Sequence, residues 1–467
     1  MVTLWPERWG TITLRTHCRE GEVGYDTLVN RTTGDTLRSQ TVSLKLNQLR
    51  AQARLHPKRV FTTLHHLVDA DLLREAYRQT RKDAAPGADK VTAQDYAENL
   101  KANLEHLLKR YKEGSYVAPL IRRVWIDKED GSQRPIGIPV FEDKLLQRAI
   151  AMILSAIYEV DFYDFSYGFR EKRSAHDALK DVRDGCYQAK VSTVIDADVS
   201  KFFDKMPHDR IREILRLRIN DGKILQVIGR WLKAGVVEEG RVIYPACGSP
   251  QGGVISPLIA NLFLHHVLDE WFVTQAQRKL QGRSFLVRFA DDFILGCQSK
   301  KEAEKLMRVL PKRFAKFGLT IHPEKSKMVH FRWPSRLTDK SGTGTFDFLG
   351  FTHYWGMSRN GHWVVKRQTM RKRQARAMRS IYLYCRNNKH EPVKEQLKGL
   401  RSKLHGHYGY YGIRCNYRSL WMFYQYVRAS WRKWLSRRSQ KGFINWEKFK
   451  AFLDVWKLPE PKITKMV

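Results

Sequence analysis

Three features of the chain predict an α+β fold. Two short runs, Val191–Val199 and Ser284–Cys297, are rich in β-branched and aromatic residues and have the length of buried strands. Around them, apolar residues recur at helical spacing: Leu100, Leu104, Leu107, Leu108 and Tyr111 in one stretch, Leu420, Phe423, Tyr424, Val427, Trp431 and Trp434 in another. The 467 residues are 42% hydrophobic and 12% aromatic, enough for real cores, and the length allows about three domains. Lys and Arg number 84 against 48 Asp and Glu, a net charge of +36. Such an excess makes nucleic acid the leading partner and an anionic membrane surface the weaker one. No apolar run approaches a membrane span, no signal-peptide core opens the chain, and the 6 cysteines form no Cys-x-x-Cys pair. That argues against a membrane anchor, a zinc module and a disulfide framework, and fits a cytoplasmic location.

Residues 1–45 show no sustained period and are assigned no function. Leu44 to Leu67 is helical and basic, with Lys45, Arg50, Arg54, Lys58 and Arg59, and reads equally as a solvated face or a nucleic-acid-facing arm. A helix over Asp71–Lys82 ends before the turn Ala85-Pro-Gly-Ala-Asp89, and Thr92 caps the helix carrying the Leu100–Tyr111 stripe. Tyr116–Pro139 reads as two strands around Lys128–Ser132, with Arg122, Arg123, Lys128 and Arg134 as basic flanks. Asp143–Tyr158 reads as a buried helix, Arg210–Ile219 and Ile224–Leu232 as further helices, and Arg241–Pro245 as a short strand. Lys301–Phe317 is an amphipathic helix expected to kink or break at Pro311.

The two strand-like runs carry the acids. Asp291 and Asp292 form the tip of a tight hairpin, where an adjacent pair is most often a solvated turn and repels itself unless a cation compensates. A third acid shifts that balance. Asp196 and Asp198, two apart in the first run, face one side of a strand. A carboxylate from one strand and a pair from a neighbouring hairpin can hold two Mg²⁺ ions roughly 4 Å apart. Magnesium favours carboxylate and phosphate oxygens. Between these runs, Cys247-Gly-Ser-Pro-Gln-Gly-Gly-Val254 sets glycines, which permit close backbone approach, ahead of a helix whose N-terminal dipole favours phosphate.

This constellation resembles the palm of a template-directed polymerase. The hairpin is similar to the Tyr-x-Asp-Asp box of reverse transcriptases, with Phe289 at the aromatic position, and the order of blocks resembles the bacterial group II intron-encoded enzymes over roughly residues 45–455. The resemblance implies a right-hand polymerase of fingers, palm and helical thumb, with Asp198, Asp291 and Asp292 as ligands of two Mg²⁺ ions and Asp196 as an accessory acid. Lys128 and Arg134, matching Lys-x-x-Gly-x-x-Arg-Pro, would hold the incoming triphosphate. Phe203 would stack under the deoxyribose and exclude a 2′-hydroxyl, the alternative being a core aromatic like Phe202. Gln251 and Gly252 would face template and nucleotide, with Lys325 near the nucleotide. In the block Phe165–His176, Arg170, Lys172 and Arg173 would touch template phosphates, unless the segment is a plain surface loop. Phe346-Asp-Phe-Leu-Gly-Phe351 resembles the primer-grip strands.

From Lys366 onward a basic helix is expected. Lys366, Arg367, Arg371, Lys372, Arg373, Arg376 and Arg379 occur without one acid among them in the sequence, and Arg428 and Arg432 lie outside the aromatic stripe; all are candidates for nucleic-acid backbone contacts. Leu397-Lys-Gly-Leu-Arg, Tyr410-Tyr-Gly and Asn445-Trp-Glu resemble the thumb and maturase region, with no His-Asn-His endonuclease segment after residue 450. The expected division is an extension (1–45), fingers with an RNA-binding region (46–190), palm (191–357), thumb or maturase X domain (358–455) and tail (456–467). The resemblance implies RNA-directed DNA synthesis from dNTPs on an RNA template with a DNA or RNA primer. It further implies binding of group II intron RNA and target DNA, in splicing and intron mobility. Two other readings stay open: a host-domesticated relative in DNA repair or phage defence, and a mainly RNA-binding splicing maturase.

Overall fold

The structure, a computed structural model, describes residues 25–127, 133–334, 343–439 and 442–466, and side chains from residue 38 onward. Helix α1 (Tyr25–Leu55) begins well before Leu44 and runs unbroken across residue 45, where the sequence places a boundary. Its apolar spacing is too sparse to announce it; Val42, Leu49 and Ala53 are nonetheless buried. They pack on α2 (Ala70–Gln79) and the later central helix. Helices α3 (Ala93–Glu98) and α4 (Leu100–Glu113) follow. Thr92 accepts from the Asp95 amide at 3.2 Å and Asp95 accepts from the Thr92 amide at 2.8 Å, a reciprocal cap at the predicted start. Strands β1 (Ile121–Asp127) and β2 (Gln133–Ile138) form the expected hairpin, and α5 (Phe141–Tyr158), apolar on nearly every side, fills the core behind it.

The palm elements come next: α6 (Ala175–Gln188), β3 (Thr193–Ala197), then the short α7 (Phe202–Lys205), α8 (His208–Arg216) and α9 (Gly222–Leu232). Strands β4 (Val236–Glu238) and β5 (Arg241–Ile243) leave the palm and join the first hairpin, giving a sheet in the order β2-β1-β4-β5 with β1 and β4 parallel. Helix α10 (Ser256–Leu264) continues through two wider π-type turns. Hairpin β6 (Ser284–Phe289) and β7 (Asp292–Cys297) then returns to the palm, followed by α11 (Lys300–Ala315) and β8 (Lys327–His330). Pro311 lies inside α11 without ending it, because burial of Leu306, Leu310 and Phe314 on one face offsets the lost backbone bond.

In the palm sheet, β6-β7-β3-β8, strands β6, β7 and β3 are largely buried on both faces, while the edge strand β8 is mostly exposed. Ile195, Phe293 and Leu295 pack toward α10 and α11, while Val194, Val287 and Ile294 pack toward α6 and the thumb. Double burial explains why these strands read as continuous apolar runs. A second antiparallel sheet, formed by β9 (Phe346–Phe348), β10 (Phe351–Met357) and β11 (Trp363–Thr369), leads into the thumb helices α12 (Arg371–Asn387), α13 (Val393–Tyr411), α14 (Tyr417–Leu435) and α15 (Trp446–Val455). Lys366 and Arg367 therefore stand on a strand, not on the expected helix, which starts only at Arg371. No described helix is long and apolar enough to cross a membrane.

One buried acid on α5 yields a pH prediction. Asp143 is 2% exposed and accepts from Tyr116 Oη, from Trp231 Nε1 at 2.7 Å and from Gln147 Nε2 at 2.9 Å. Burial dominates over these bonds and raises its carboxyl from 3.8 to about 6. The folded chain thus binds this proton more readily than the unfolded chain, so stability falls as pH rises between those values and stays level above them. The size is on the order of 3 kcal/mol. Asp143→Asn should remove that component: the wild-type minus variant difference in urea-unfolding stability is expected to change between about pH 4 and pH 7. A difference that is flat with pH would show that Asp143 titrates normally.

Candidate active site

Asp198, Asp291 and Asp292 line a single cavity of about 770 Å³. The register pairs Asp196 with Ile294 and ends with Ala197 opposite Phe293, so that Asp198 and Asp292 are the next residues along the two chains. Asp291 occupies the turn between Phe289 and Asp292, next to Ala290 at φ +57°. Asp198 is fixed through its main chain: its amide donates to Ser326 Oγ at 3.1 Å, and its carbonyl accepts from the His322 amide at 2.8 Å. The same loop sets Lys325 Nζ 3.9 Å from Asp198 Oδ2.

Arg134, Phe203, Gln251 and Gly252 form the facing walls of this cavity. Arg134 Nε donates to Gln251 Oε1 at 2.5 Å, and the Gly137 amide donates to the Gln251 carbonyl at 2.7 Å, tying β2 to the glycine-rich loop. Gly252, at φ +122°, passes so close to β2 that a Cβ would lie 2.3 Å from the Gly137 carbonyl oxygen. Phe203 is 9% exposed, with its ring 5.3 Å from that of the fully packed Phe202, and its carbonyl accepts from Ser249. Lys128 lies outside the described residues.

The electrostatics are those of crowded carboxylates. Enclosure by the cavity walls, then the charges of Asp291, Asp198 and Asp196, hold the Asp292 carboxyl well above the usual range, with Arg373 opposing. Because this side chain still opens onto solvent, the repulsion among the acids is the firmer cause. Burial likewise raises Asp196 to about 6; Lys327, 3.9 Å away, opposes this, while Asp347 and Asp198 add to it. A compensating cation suits such a set. Among the described residues, no three His, Cys, Asp or Glu side chains close into a ready-made metal cage. Oxygen ligands for a hard cation would here be completed by substrate phosphate.

Several predicted contacts fall elsewhere. Arg170 is 8% exposed and cannot reach a template: it grips Glu159 at 2.8 and 3.0 Å and donates to the carbonyls of Tyr163 and Ser166 at 2.6 Å. Arg173 pairs with Asp164 at 2.5 Å, and Lys172 remains exposed. Arg367, 3% exposed, points inward from β11 and donates to the Leu179 carbonyl, so it too is excluded as a phosphate contact, whereas Lys366 is half-buried beside it. Arg371, Lys372, Arg376 and Arg379 are exposed along α12. Arg428 donates to Gln425 and lies over the Tyr424 ring; Arg432 donates to the Ile444 carbonyl and covers Trp446 at 4.2 Å. Both serve the thumb's own packing while staying partly open.

Sequence reasoning gave no catalytic-cavity role to Asp347 on β9, Arg373 on α12 or Tyr410 on α13, which it placed only in the primer-grip block, the basic run and the thumb motif; all three line the cavity. Tyr410 Oη donates to the Leu349 carbonyl at 2.8 Å, bolting the thumb to the turn after β9. Arg373 looked like one more cation in a basic run, and no spacing separates it from Arg371 or Lys372.

This geometry, two carboxylate-bearing strands facing a basic hairpin and a glycine-rich loop, is that of a nucleotide-polymerising palm. Residues 126–353 match the model of the family described as reverse transcriptase (RNA-dependent DNA polymerase). Protein YkfC of Escherichia coli K12 is 32% identical over 308 residues, covering 58% of this chain and 80% of that protein. The chain belongs to the reverse transcriptase family, and within it to the group II intron type. The group II intron-encoded protein LtrA of Lactococcus lactis is 35% identical over 230 residues, 48% of this chain and 37% of LtrA. An uncharacterised 91 kDa protein in the cob intron of Schizosaccharomyces pombe is 40% identical over 153 residues, 32% of this chain and 18% of its own length. The chain thus spans well under half of these intron-encoded relatives.

Proposed function

We propose that this chain is an RNA-directed DNA polymerase that also binds group II intron RNA as a maturase, serving splicing and intron mobility. The observation that carries the reading is the single cavity shared by Asp198, Asp291, Asp292, Arg134, Phe203 and Gln251. Asp198, Asp291 and Asp292 would hold two Mg²⁺ ions. Bound there, the metal supplies charge neutralisation at the attacking 3′-oxygen and the leaving pyrophosphate. Arg134, oriented by Gln251, steadies the triphosphate together with Lys128. Phe203 packs under the sugar, and Lys325 stands where it can deliver a proton to the departing pyrophosphate. The strand pair β9–β10 and Tyr410 hold the primer end from the thumb side. Fingers, palm and thumb follow the division given above, with α1 extending the fingers across residue 45. Primer extension on an RNA template, with dNTPs and Mg²⁺, tests the reading; no metal-dependent DNA product from the purified chain would refute it.

The thumb helix α12 divides this function between two faces. Arg371 and Lys372 are exposed, whereas Arg373 turns into the catalytic cavity. Replacing Arg371 and Lys372 with Gln should weaken intron RNA binding and flatten its salt dependence by about 0.7 in log–log slope per lost contact. Arg373→Gln should instead slow dNTP addition to a saturating preformed template–primer, with little change in slope. Salt titrations of RNA binding for the two variants decide it. Equal slopes in wild type and the Arg371/Lys372 variant would remove this surface from RNA recognition.

A further inference from the structure

Immediately behind the acidic wall of the cavity lies a fully buried ion pair that the polymerisation chemistry does not use. Arg288, on β6, and Asp269, in the π-type turn after α10, have 0% exposed side chains. A guanidinium carries five N–H donors, and all five are engaged here. Nε donates to Asp269 Oδ1 at 2.8 Å and Nη2 to Asp269 Oδ2 at 2.5 Å. Nη2 also donates to Ser166 Oγ at 2.7 Å, and Nη1 to Asn261 Oδ1 at 2.9 Å and to the Ala290 carbonyl at 3.0 Å. Asn261 in turn donates to the Gly168 carbonyl at 2.6 Å. The Arg288 backbone is held as well: its amide donates to Phe165 O and its carbonyl accepts from the Tyr167 amide, both at 2.9 Å.

Ala290 gives this network its consequence. It opens the hairpin turn at φ +57°, a left-handed conformation unfavourable for a residue with a Cβ, and its carbonyl directly precedes Asp291. From the other side Gly168 abuts it, so closely that a Cβ at 168 would lie 2.3 Å from the Ala290 nitrogen. The tip is therefore clamped between one side chain and one backbone. A buried ion pair is a poor stabiliser, since a well-packed apolar pair of like volume often serves a fold as well or better. A guanidinium with every donor aimed does what an apolar pair cannot, which is to fix direction.

We propose that Arg288 is a positioning residue for the catalytic acids: through the Ala290 carbonyl it sets where Asp291 and Asp292 stand relative to Asp198. The proposal rests on the reading of these acids as catalytic. Its test is the double variant Arg288→Met with Asp269→Leu, which leaves no buried charge unpaired. Three quantities are read: the melting temperature, the rate and Mg²⁺ dependence of single-dNTP addition, and amide hydrogen exchange across residues 288–293. Expected are a near-native melting temperature, faster exchange at the tip, and a rate or apparent metal affinity lower by about 10- to 100-fold. Native exchange at the tip, whatever the rate, would overturn the proposal and leave Arg288 as packing. If the double variant fails to fold, Arg288→Lys, which keeps the charge beside Asp269 but loses the fork of donors, is expected to give the same three results and is judged by the same criteria. Exchange at the tip needs no catalysis, so the positioning claim is decided even if the wild-type chain makes no DNA, an outcome that would sink the polymerase reading alone.

Discussion

With Asp291→Ala and Asp292→Ala introduced together, primer extension is expected to fall to background, a loss on the order of a thousandfold or more, because several kcal/mol of transition-state charge stabilisation go with the metal ligands. The fold should tolerate the change. Asp292 is crowded by Asp291, Asp198 and Asp196, so removing two of these charges relieves repulsion, and the melting temperature in metal-free buffer should hold or rise. Intron RNA affinity should persist as well, since the exposed cations of α12 lie on a different face from the cavity. Primer-extension kinetics, a melting curve and an RNA-binding isotherm on the same variant separate the possibilities. Synthesis near the wild-type rate would remove these acids from the reaction, and loss of RNA binding together with a lower melting temperature would make them structural.

The acids were legible because their setting is extreme. Strands buried on both faces read as unbroken apolar runs, and a charged residue inside such a run stands out against a background that excludes it. The same logic hid Arg170. An arginine in a segment with exposed neighbours resembles a surface cation, and nothing in the local spacing announces that Glu159, eleven residues earlier, meets it in the core. Arg367 was misread for a related reason: Trp363, Val365, Arg367 and Thr369 alternate inward along β11, but an arginine at an inward position breaks the apolar alternation that identifies a strand. What followed it, a run of cations without acids, then drew the whole stretch into one expected helix. Arg373 and Tyr410 reach the cavity only through the way β11 hands the chain to α12 and α13 packs back on the turn at Leu349. Long-range placement of this kind leaves no periodic trace.

Phe203→Ala is expected to raise ribonucleotide incorporation relative to deoxyribonucleotide incorporation by on the order of a hundredfold, the scale of a steric rejection lost from a site that otherwise keeps its contacts. The ring stands in the cavity wall between Asp198 and the glycine-rich loop, and its own position is set from behind by Phe202 and through its carbonyl by Ser249. Truncating a fully enclosed Phe costs about 3–5 kcal/mol, but one face of Phe203 borders the cavity, so less is lost here and the variant should remain folded. Phe202→Ala is the matched control. That ring is 2% exposed and packs against Phe263, so its loss should lower the melting temperature with no selective gain of ribonucleotides. Single-nucleotide insertion with dNTP and rNTP on one template–primer, beside melting curves for both variants, reads the two effects apart. If Phe203→Ala destabilises the chain while leaving sugar discrimination unchanged, the ring is core and the selection of deoxyribose lies elsewhere in the cavity.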